Sequence, residues 1–334
     1  MKTEILQMLR ETADGSYISG QDLCSQLGVS RTAVWKAISQ LRAQGYEIEA
    51  VQNRGYRLGA VPDILSESEI ESWLQTKWLG RPVCYLDEVD STNTQAKRIA
   101  EETGSEGHGT VVVAGRQTSG RGRRGRSWSS PHGTGIFFTI LLKPDIEISN
   151  APMLTLVKAL AVAGGIRELT GLDAMIKWPN DIVVNGKKVV GILTELSAQI
   201  DYVNHIVVGT GINVHQAEFP EEIARTATSL DLELRREGRE ITVPRAKLLA
   251  AVLGQFEQYY ETFLKTQDLS ALADEYNSLL VNCGCEVRVL DPQGEYMGQA
   301  IGIDGRGQLL VERENGVVKI SSGEVSVRGI YGYV

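Results

Sequence analysis

The sequence predicts an α+β protein of several domains, on three observations. Helical periodicity dominates residues 1–60 and ends in a β-hairpin signal. Strand and helix patterns mix over residues 66–282, with hairpin signals outnumbering βαβ units. Residues 283–334 are rich in Gly and Val, with short alternating strands. A chain of 334 residues fits two or three domains. With 42% hydrophobic and 23% charged residues, it has the balance of a soluble globular protein.

The elements follow in order. Ile5, Leu6 and Leu9 predict an amphipathic first helix. Ser19 with Asp22 resembles a capping box opening a second helix, with Leu23 and Leu27 on one face. Gly28 fits the left-handed position that ends it. Ser30 can cap a third helix, in which Val34, Ile38 and Leu41 recur at i, i+4 and i+7, and Gly45 stops it. Two short strands, Tyr46–Val51 and Tyr56–Leu58, flank the turn residues Asn53, Arg54 and Gly55. This is the order of a winged helix-turn-helix. Residues 59–65 read as a linker, and Ser66 with Glu69 caps a helix through Trp73 and Leu74.

From residue 83 the candidate strands are Val83–Val89, Thr110–Gly115, Gly135–Leu142, Ile182–Val184, Val189–Leu196 and Tyr202–Ile212. Asn185 and Gly186 mark a type I′ hairpin, and Pro152–Leu169 reads as one long helix. A largely antiparallel or mixed sheet with helices on one side is expected. Val243–Leu264 and Leu269–Val281 read as helices. Turn signals at Asp291–Gly294 and Asp304–Gly307 punctuate the tail, a small β-barrel pattern.

The net charge of −8 argues against a chain that coats nucleic acid along its length, but not against one local DNA-binding surface. Cys24, Cys84, Cys283 and Cys285 show no CxxC spacing, which points to reduced, buried or semi-buried thiols rather than zinc or disulfides. His108, His132, His205 and His215 form no HExxH and read as surface or loop residues; no metal site is expected from protein ligands. The N-terminus lacks a signal-peptide core, and no apolar run approaches the roughly 18 residues of a membrane span. A cytoplasmic protein with no membrane partner is the expectation.

Residues 115–128 carry the strongest chemical signal. Arg116, Arg121, Arg123, Arg124 and Arg126 stand among glycines, with no acid. Gly120, Gly122 and Gly125 match G-x-G-x-x-G, but a dinucleotide fingerprint opens a helix, and here Pro131, Gly133 and Gly135 follow. A loop of glycines and guanidiniums suits closure over a phosphorylated small molecule, being mobile when empty and offering bidentate donors when full. An RGG-like nucleic-acid-binding segment is the other reading. KWPND at 177–181 puts Lys177 at a strand end before a turn, where a solvated surface charge is the ordinary interpretation. GILTE at 191–195 and GTGIN at 209–213 are, alone, strands with glycine bends.

In this order and spacing, GRGRRGR at 120–126, KWPND, GILTE and GTGIN closely resemble the biotin–protein ligase family. With the N-terminal helix-turn-helix the likeness spans nearly the whole chain and is that of the bifunctional ligase/biotin operon repressor. It implies a class II synthetase-like catalytic domain over 66–282, a winged helix-turn-helix over 1–60 and an SH3-like β domain over 283–334. It implies ATP and biotin as substrates with Mg²⁺, biotinyl-5′-AMP as intermediate, and a lysine of a biotin carboxyl carrier protein as acceptor. By the same resemblance Arg121, Arg123 and Lys177 are catalytic. Ser91, Thr92, Asn93, Gln117 and Gly122 join these three around biotin, and Arg123, Arg126, Trp128 and Asn213 around the nucleotide. A biotin-sensing regulator without catalysis and a lipoate–protein ligase are the alternatives.

The third helix sets Arg31, Thr32, Trp35, Lys36 and Ser39 opposite its apolar face. Segment 31–57 has five basic and two acidic residues in an acidic chain, which favours a DNA face formed with Ser30 and Arg54. A winged helix used for protein contacts, or one that has lost DNA binding, is the alternative, and a partly buried core place is the other reading of Trp35. Operator DNA and a ligand-promoted homodimer are the expected assemblies.

Overall fold

Side-chain caps and left-handed glycines bound the first helices. In the computed structural model, which describes residues 1–12, 16–59, 63–291, 294–322 and 326–329, α1 is Lys2–Glu11, α2 Gly20–Leu27 and α3 Arg31–Ala43. Residues 60–62 of the expected linker, 292–293 of the expected turn and 330–334 of the expected C-terminal domain lie outside the described residues. Ser19 Oγ accepts from Asp22 N, Ser30 Oγ accepts from Ala33 N, and Gly28 ends α2 at φ 63°. The wing is β1 (Ile48–Val51) paired antiparallel with β2 (Gly55–Leu58), and Ile18 makes a single antiparallel bridge to Tyr56. Ile5, Leu6, Leu23, Val34, Ile38 and Leu41 form its core.

Residues Met1–Gln75 with Pro244–Ala250 form one compact unit; Thr76–Val243 with Ala251–Val334 form the other. In the first, α4 (Glu67–Trp73) places the nearly buried Glu69 among donors. Arg10 Nη2 lies 2.5 Å from Glu69 Oε1, Trp73 Nε1 donates to the same oxygen at 2.9 Å, and Tyr46 Oη donates to Oε2 at 2.5 Å. Burial, and then that bond, push the Tyr46 phenol well above its usual range. A carboxylate this buried is tolerable only because each oxygen is satisfied.

The second unit is built on a seven-stranded sheet of order β3-β4-β5-β9-β8-β7-β6. Its elements are β3 (Val83–Val89), α5 (Thr92–Thr103), β4 (Val111–Gln117), β5 (Gly135–Leu142), α6 (Leu154–Thr170), β6 (Met175–Lys177), β7 (Asp181–Val184), β8 (Lys187–Ala198) and β9 (Val203–Asn213). α7 (Glu221–Ala224), α8 (Leu230–Arg236), α9 (Arg245–Thr266) and α10 (Ala273–Leu279) follow. The first residues of α9 group with the N-terminal unit. β3 and β4 are parallel through the α5 crossover, and the other pairs are antiparallel.

Helices cover both faces of this sheet, not one as the hairpin count suggests. Thr139 of β5 bonds to the start of α5, whereas its neighbour Phe138 lies under Lys158 of α6; adjacent strand residues point to opposite faces. The long helix begins two residues late because a 3₁₀ turn, Ile148–Met153, holds Pro152. By length and composition Ile148–Thr170 passes for a membrane span, yet 67% of that window is buried inside the protein, where it packs on the sheet as a core helix. His205 is buried on strand β9, contrary to the surface-or-loop reading, whereas His108 does lie in a turn, half-buried and stacked on Trp78 at 4.8 Å. Cys283 and Cys285 are exposed rather than semi-buried, and all four cysteines are free.

The remaining strands are β10 (Glu286–Asp291), β11 (Gly294–Ile303), β12 (Leu309–Arg313), β13 (Gly316–Ile320) and β14 (Ser326–Gly329). They make an antiparallel sheet of order β13-β12-β11-β10-β14.

Candidate active site

The site lies where α5, the arginine loop and the glycine-bearing strands β8 and β9 meet. Ser91, Thr92 and Asn93 start α5 and are nearly buried, with exposures of 3%, 4% and 4%. Gln117 ends β4. Its Oε1 accepts from Thr92 N at 2.9 Å and Thr92 Oγ1 at 3.1 Å, while its Nε2 donates to Ser130 Oγ at 2.9 Å. Asn93 Oδ1 accepts from Thr139 at 2.6 Å, and Asn93 Nδ2 donates to Glu195 at 2.7 Å. Lys97 Nζ reaches the other Glu195 oxygen at 2.8 Å. Burial pushes the Glu195 carboxyl up, but the bonds from Lys97 and Asn93 outweigh it and hold it below the usual carboxylate range. The result is a fixed wall of hydroxyls and amides, suited to a small polar, uncharged group.

The arginine loop is a closed hairpin. Trp128 N donates to Gly120 O at 2.9 Å, Gly122 N to Arg126 O at 2.7 Å, and Arg124 turns the tip at φ 57°. Several of the arginines are engaged, although the segment offers them no acid of its own. Arg121 donates to Thr94, Arg123 to Asn180 Oδ1 at 2.8 Å and to the Ser322 carbonyl, and Arg116 pairs with Glu88.

Trp128 explains two of the motif glycines. A Cβ on Gly211 would come within 2.4 Å of the indole Nε1, and one on Gly191 within 2.7 Å of the ring. A Cβ on Gly209 would meet Asn93 Oδ1 at 2.1 Å. Trp128 Nε1 and Thr210 Oγ1 are buried without a partner in the protein, two polar atoms left for a ligand. The cavity beside them is lined by Ser91, Thr92, Asn93, Gln117, Arg121, Gly122, Arg123 and Trp128, with Asn180, Lys188, Gly191 and Gly211.

Three expected residues do not line it. Lys177, 7% exposed, lies on β6 opposite Asp181 of β7. Asn213 is buried and donates to Thr228 O at 3.1 Å, and Arg126 is exposed on the loop. Lys188, which sequence reasoning missed, does line the cavity. Its Nζ bonds Asp181 at 2.6 Å and lies 5.4 Å from the Trp128 ring centroid. The register of β7 and β8 slips between Ile182 and Val183, leaving Val189 as the extra residue. A bulge of this kind re-aims the neighbouring side chain, and two adjacent lysines after an Asn-Gly turn carry no sign of it.

On the N-terminal unit, Ser30 caps α3, and Arg31, Thr32, Trp35, Lys36 and Arg54 are exposed. Arg42 is exposed but engaged, with Nε and Nη2 on Ile48 O at 2.8 and 2.5 Å, and Arg57 pairs with Glu49.

A hairpin of arginines closing on a glycine-floored, amide-walled cavity matches a known class. Residues 85–213 fit the family described as biotin/lipoate A/B protein ligases, residues 2–57 an HTH domain, and residues 283–328 the biotin protein ligase C-terminal domain. The bifunctional ligase/repressor BirA of Bacillus subtilis is 41% identical over 98% of both chains. That of Escherichia coli is 29% identical over 97% of both. The biotin protein ligase of Aquifex aeolicus, solved with biotin and ATP, superposes with a TM-score of 0.64 at 36% identity, over 75% of this chain and 99% of that one. The chain belongs to the bifunctional biotin ligase/repressor family.

Proposed function

We propose that the protein activates biotin with ATP, transfers it to a lysine of a biotin carboxyl carrier protein, and represses transcription at an operator through its N-terminal module. The observation that carries the ligase reading is one cavity joining the Thr92–Gln117–Asn93 network to Arg121, Arg123 and Trp128. A carboxylate acylates poorly, so its oxygen first attacks the α-phosphorus of ATP. An anhydride bond to AMP forms and pyrophosphate leaves. The acceptor amine then attacks the acyl carbon, an amide forms, and AMP leaves with the proton lost to solvent.

Each step sets demands on the residues. Ser91, Thr92, Asn93 and Gln117 are proposed to hold the polar ring end of biotin, as rigid donors and acceptors that need no reorganisation. Arg121, Arg123 and Lys177 are proposed to balance the charge of carboxylate and phosphate. Lys188 belongs with them: Asp181 stands opposite Lys177 across the strands and bonds Lys188. Trp128, with Arg126 and Asn213, is proposed for the nucleotide, the indole offering a flat apolar face. Among the described residues no cluster of three or more His, Cys, Asp or Glu could hold a metal. Mg²⁺ is therefore proposed to be held mainly by the phosphates of ATP, where it would neutralise charge.

On the same reading the adenylate promotes a homodimer that grips DNA. Free thiols at all four cysteines support a cytoplasmic setting. The test is incubation of the full chain with ATP, Mg²⁺ and either biotin or lipoate, then with a carrier domain whose mass is read. Gain of one biotinyl group is expected. No modification would favour a non-catalytic sensor, and a lipoyl group the lipoate alternative.

A further inference from the structure

Trp35 is 62% exposed in the first half of α3, one of the most exposed large apolar side chains among the described residues. Core packing does not explain it, because Val34, Ala37, Ile38 and Leu41 take the buried face. Arg31 and Lys36 flank it in the open, and Ser39, one turn on, bends its hydroxyl back onto Trp35 O at 2.8 Å. The indole therefore stands clear on the face of the helix that a winged helix presents to DNA.

The cations around it are fewer than the sequence counts. Arg42 is engaged by Ile48 O, Arg57 by Glu49 and Arg31 by Gln21 Oε1 at 3.0 Å, leaving Lys36 and Arg54 for phosphates. Phosphate contacts in any case carry no sequence information. The N-terminal part of a recognition helix meets base edges in the major groove. There the one apolar group on any base edge is the C5-methyl of thymine. An indole driven out of water into that groove gains most by covering such methyls.

Resting on the DNA-binding reading above, we infer that Trp35 is a specificity-determining residue that reads thymine methyl groups in the major groove. Lys36 and Arg54 then supply charge without sequence preference, so binding depends weakly on salt for a DNA-binding module.

The test uses the full chain with biotin, ATP and Mg²⁺, selected against a pool of random DNA duplexes. Each thymine of an enriched duplex is then replaced singly by deoxyuridine, which keeps the base pair and deletes only the methyl. Weakening of about three- to tenfold is expected at one or two positions, tenfold being about 1.4 kcal/mol. Trp35→Ala, folded by circular dichroism, should lose those penalties. Lys36→Ala should keep them while flattening the salt dependence. Deoxyuridine effects all within about twofold, or penalties unchanged in Trp35→Ala, would overturn the inference and leave Trp35 to another contact. A pool in which no duplex enriches would overturn the DNA-binding reading itself, and this inference with it.

Discussion

Single side chains decide how the cavity is shaped. Gly211→Ala adds one methyl group where the Trp128 indole lies, 2.4 Å from Nε1. Gly211 keeps an ordinary strand backbone, so the fold should tolerate alanine while Trp128 moves. Adenylate formation should fall at least tenfold, about 1.4 kcal/mol, with the melting midpoint nearly unchanged; equal loss of both would mark Gly211 as structural only. Lys177→Ala tests the charge assignment. On the proposed reading its cation balances the reacting phosphate, a contribution of about 3–4 kcal/mol at the transition state, so pyrophosphate release should nearly vanish. Release within about threefold of the parent would instead leave the role to Lys188 and the arginines. Lys158 has no part in this chemistry. It is fully buried, its Nζ has no hydrogen-bond partner, and it lies 4.2 Å from the Phe138 ring centroid. Burial drives its pKa well below the usual lysine value. The unfolded chain therefore binds the extra proton at pH values between the depressed pKa and about 10.5, and stability rises with pH across that window. Lys158→Met should raise stability at neutral pH by about 1–3 kcal/mol and flatten the alkaline rise, as chemical denaturation at several pH values would read.

Among the elements, the arginine hairpin is the one poised to respond to ligand. Its ends are fixed by β4 and β5, but beyond its own backbone bonds its tip is tied to the rest of the protein by a few bonds made by Arg121 and Arg123. Phosphate offers those guanidiniums a stronger partner. Trypsin should cut at Arg121–Arg126 readily in the free protein and at least several-fold more slowly with biotinyl-AMP, since proteolysis tracks local opening. Equal rates would remove the lid role. This loop stood out in the sequence because its composition is extreme, and β5 because eight apolar or small residues run unbroken to Leu142. The hairpin at Asn185 and Gly186 was equally plain, both residues taking positive φ. Helix α5 was not. Its buried residues are Thr92, Asn93, Ala96 and Ala100, with Ile99 packed beside them, so the stripe it presents to Val112, Leu141 and Val207 is mostly small residues and its apolar period is faint. Missing α5 also hid the parallel pair it connects and the helix on the second face. The partner of Lys188 was hidden for a different reason: side-chain direction after a bulge depends on strand register, which is a long-range property.

At the scale of the whole molecule, the N-terminal unit needs a device to make its DNA contact both tight and conditional. One recognition helix with Lys36 and a wing Arg54 neutralises few phosphates, and so few contacts alone bind weakly at physiological salt. A symmetric pair of chains reads two half-sites, and joining them raises affinity without any new contact. A ligand shifts that pairing only if it favours one state over the other. The proposed source of the difference is the arginine hairpin: clasped over the adenylate, it presents one ordered surface instead of an open set. Each tenfold gain in association corresponds to about 1.4 kcal/mol, which the ordering of one short loop can supply. Linkage is reciprocal, so the dimer should also hold the adenylate more tightly than the monomer, by the same factor. Carrier protein, by consuming the adenylate, should then release the DNA. Sedimentation with and without biotinyl-AMP should show at least a tenfold tighter dimer, about 1.4 kcal/mol. Titration of a selected operator duplex should tighten in parallel, and Arg121→Ala should blunt both changes together. An association constant and an operator affinity that both ignore the adenylate would break the link between the two units, leaving a ligase and a DNA-binding module that share a chain but no signal.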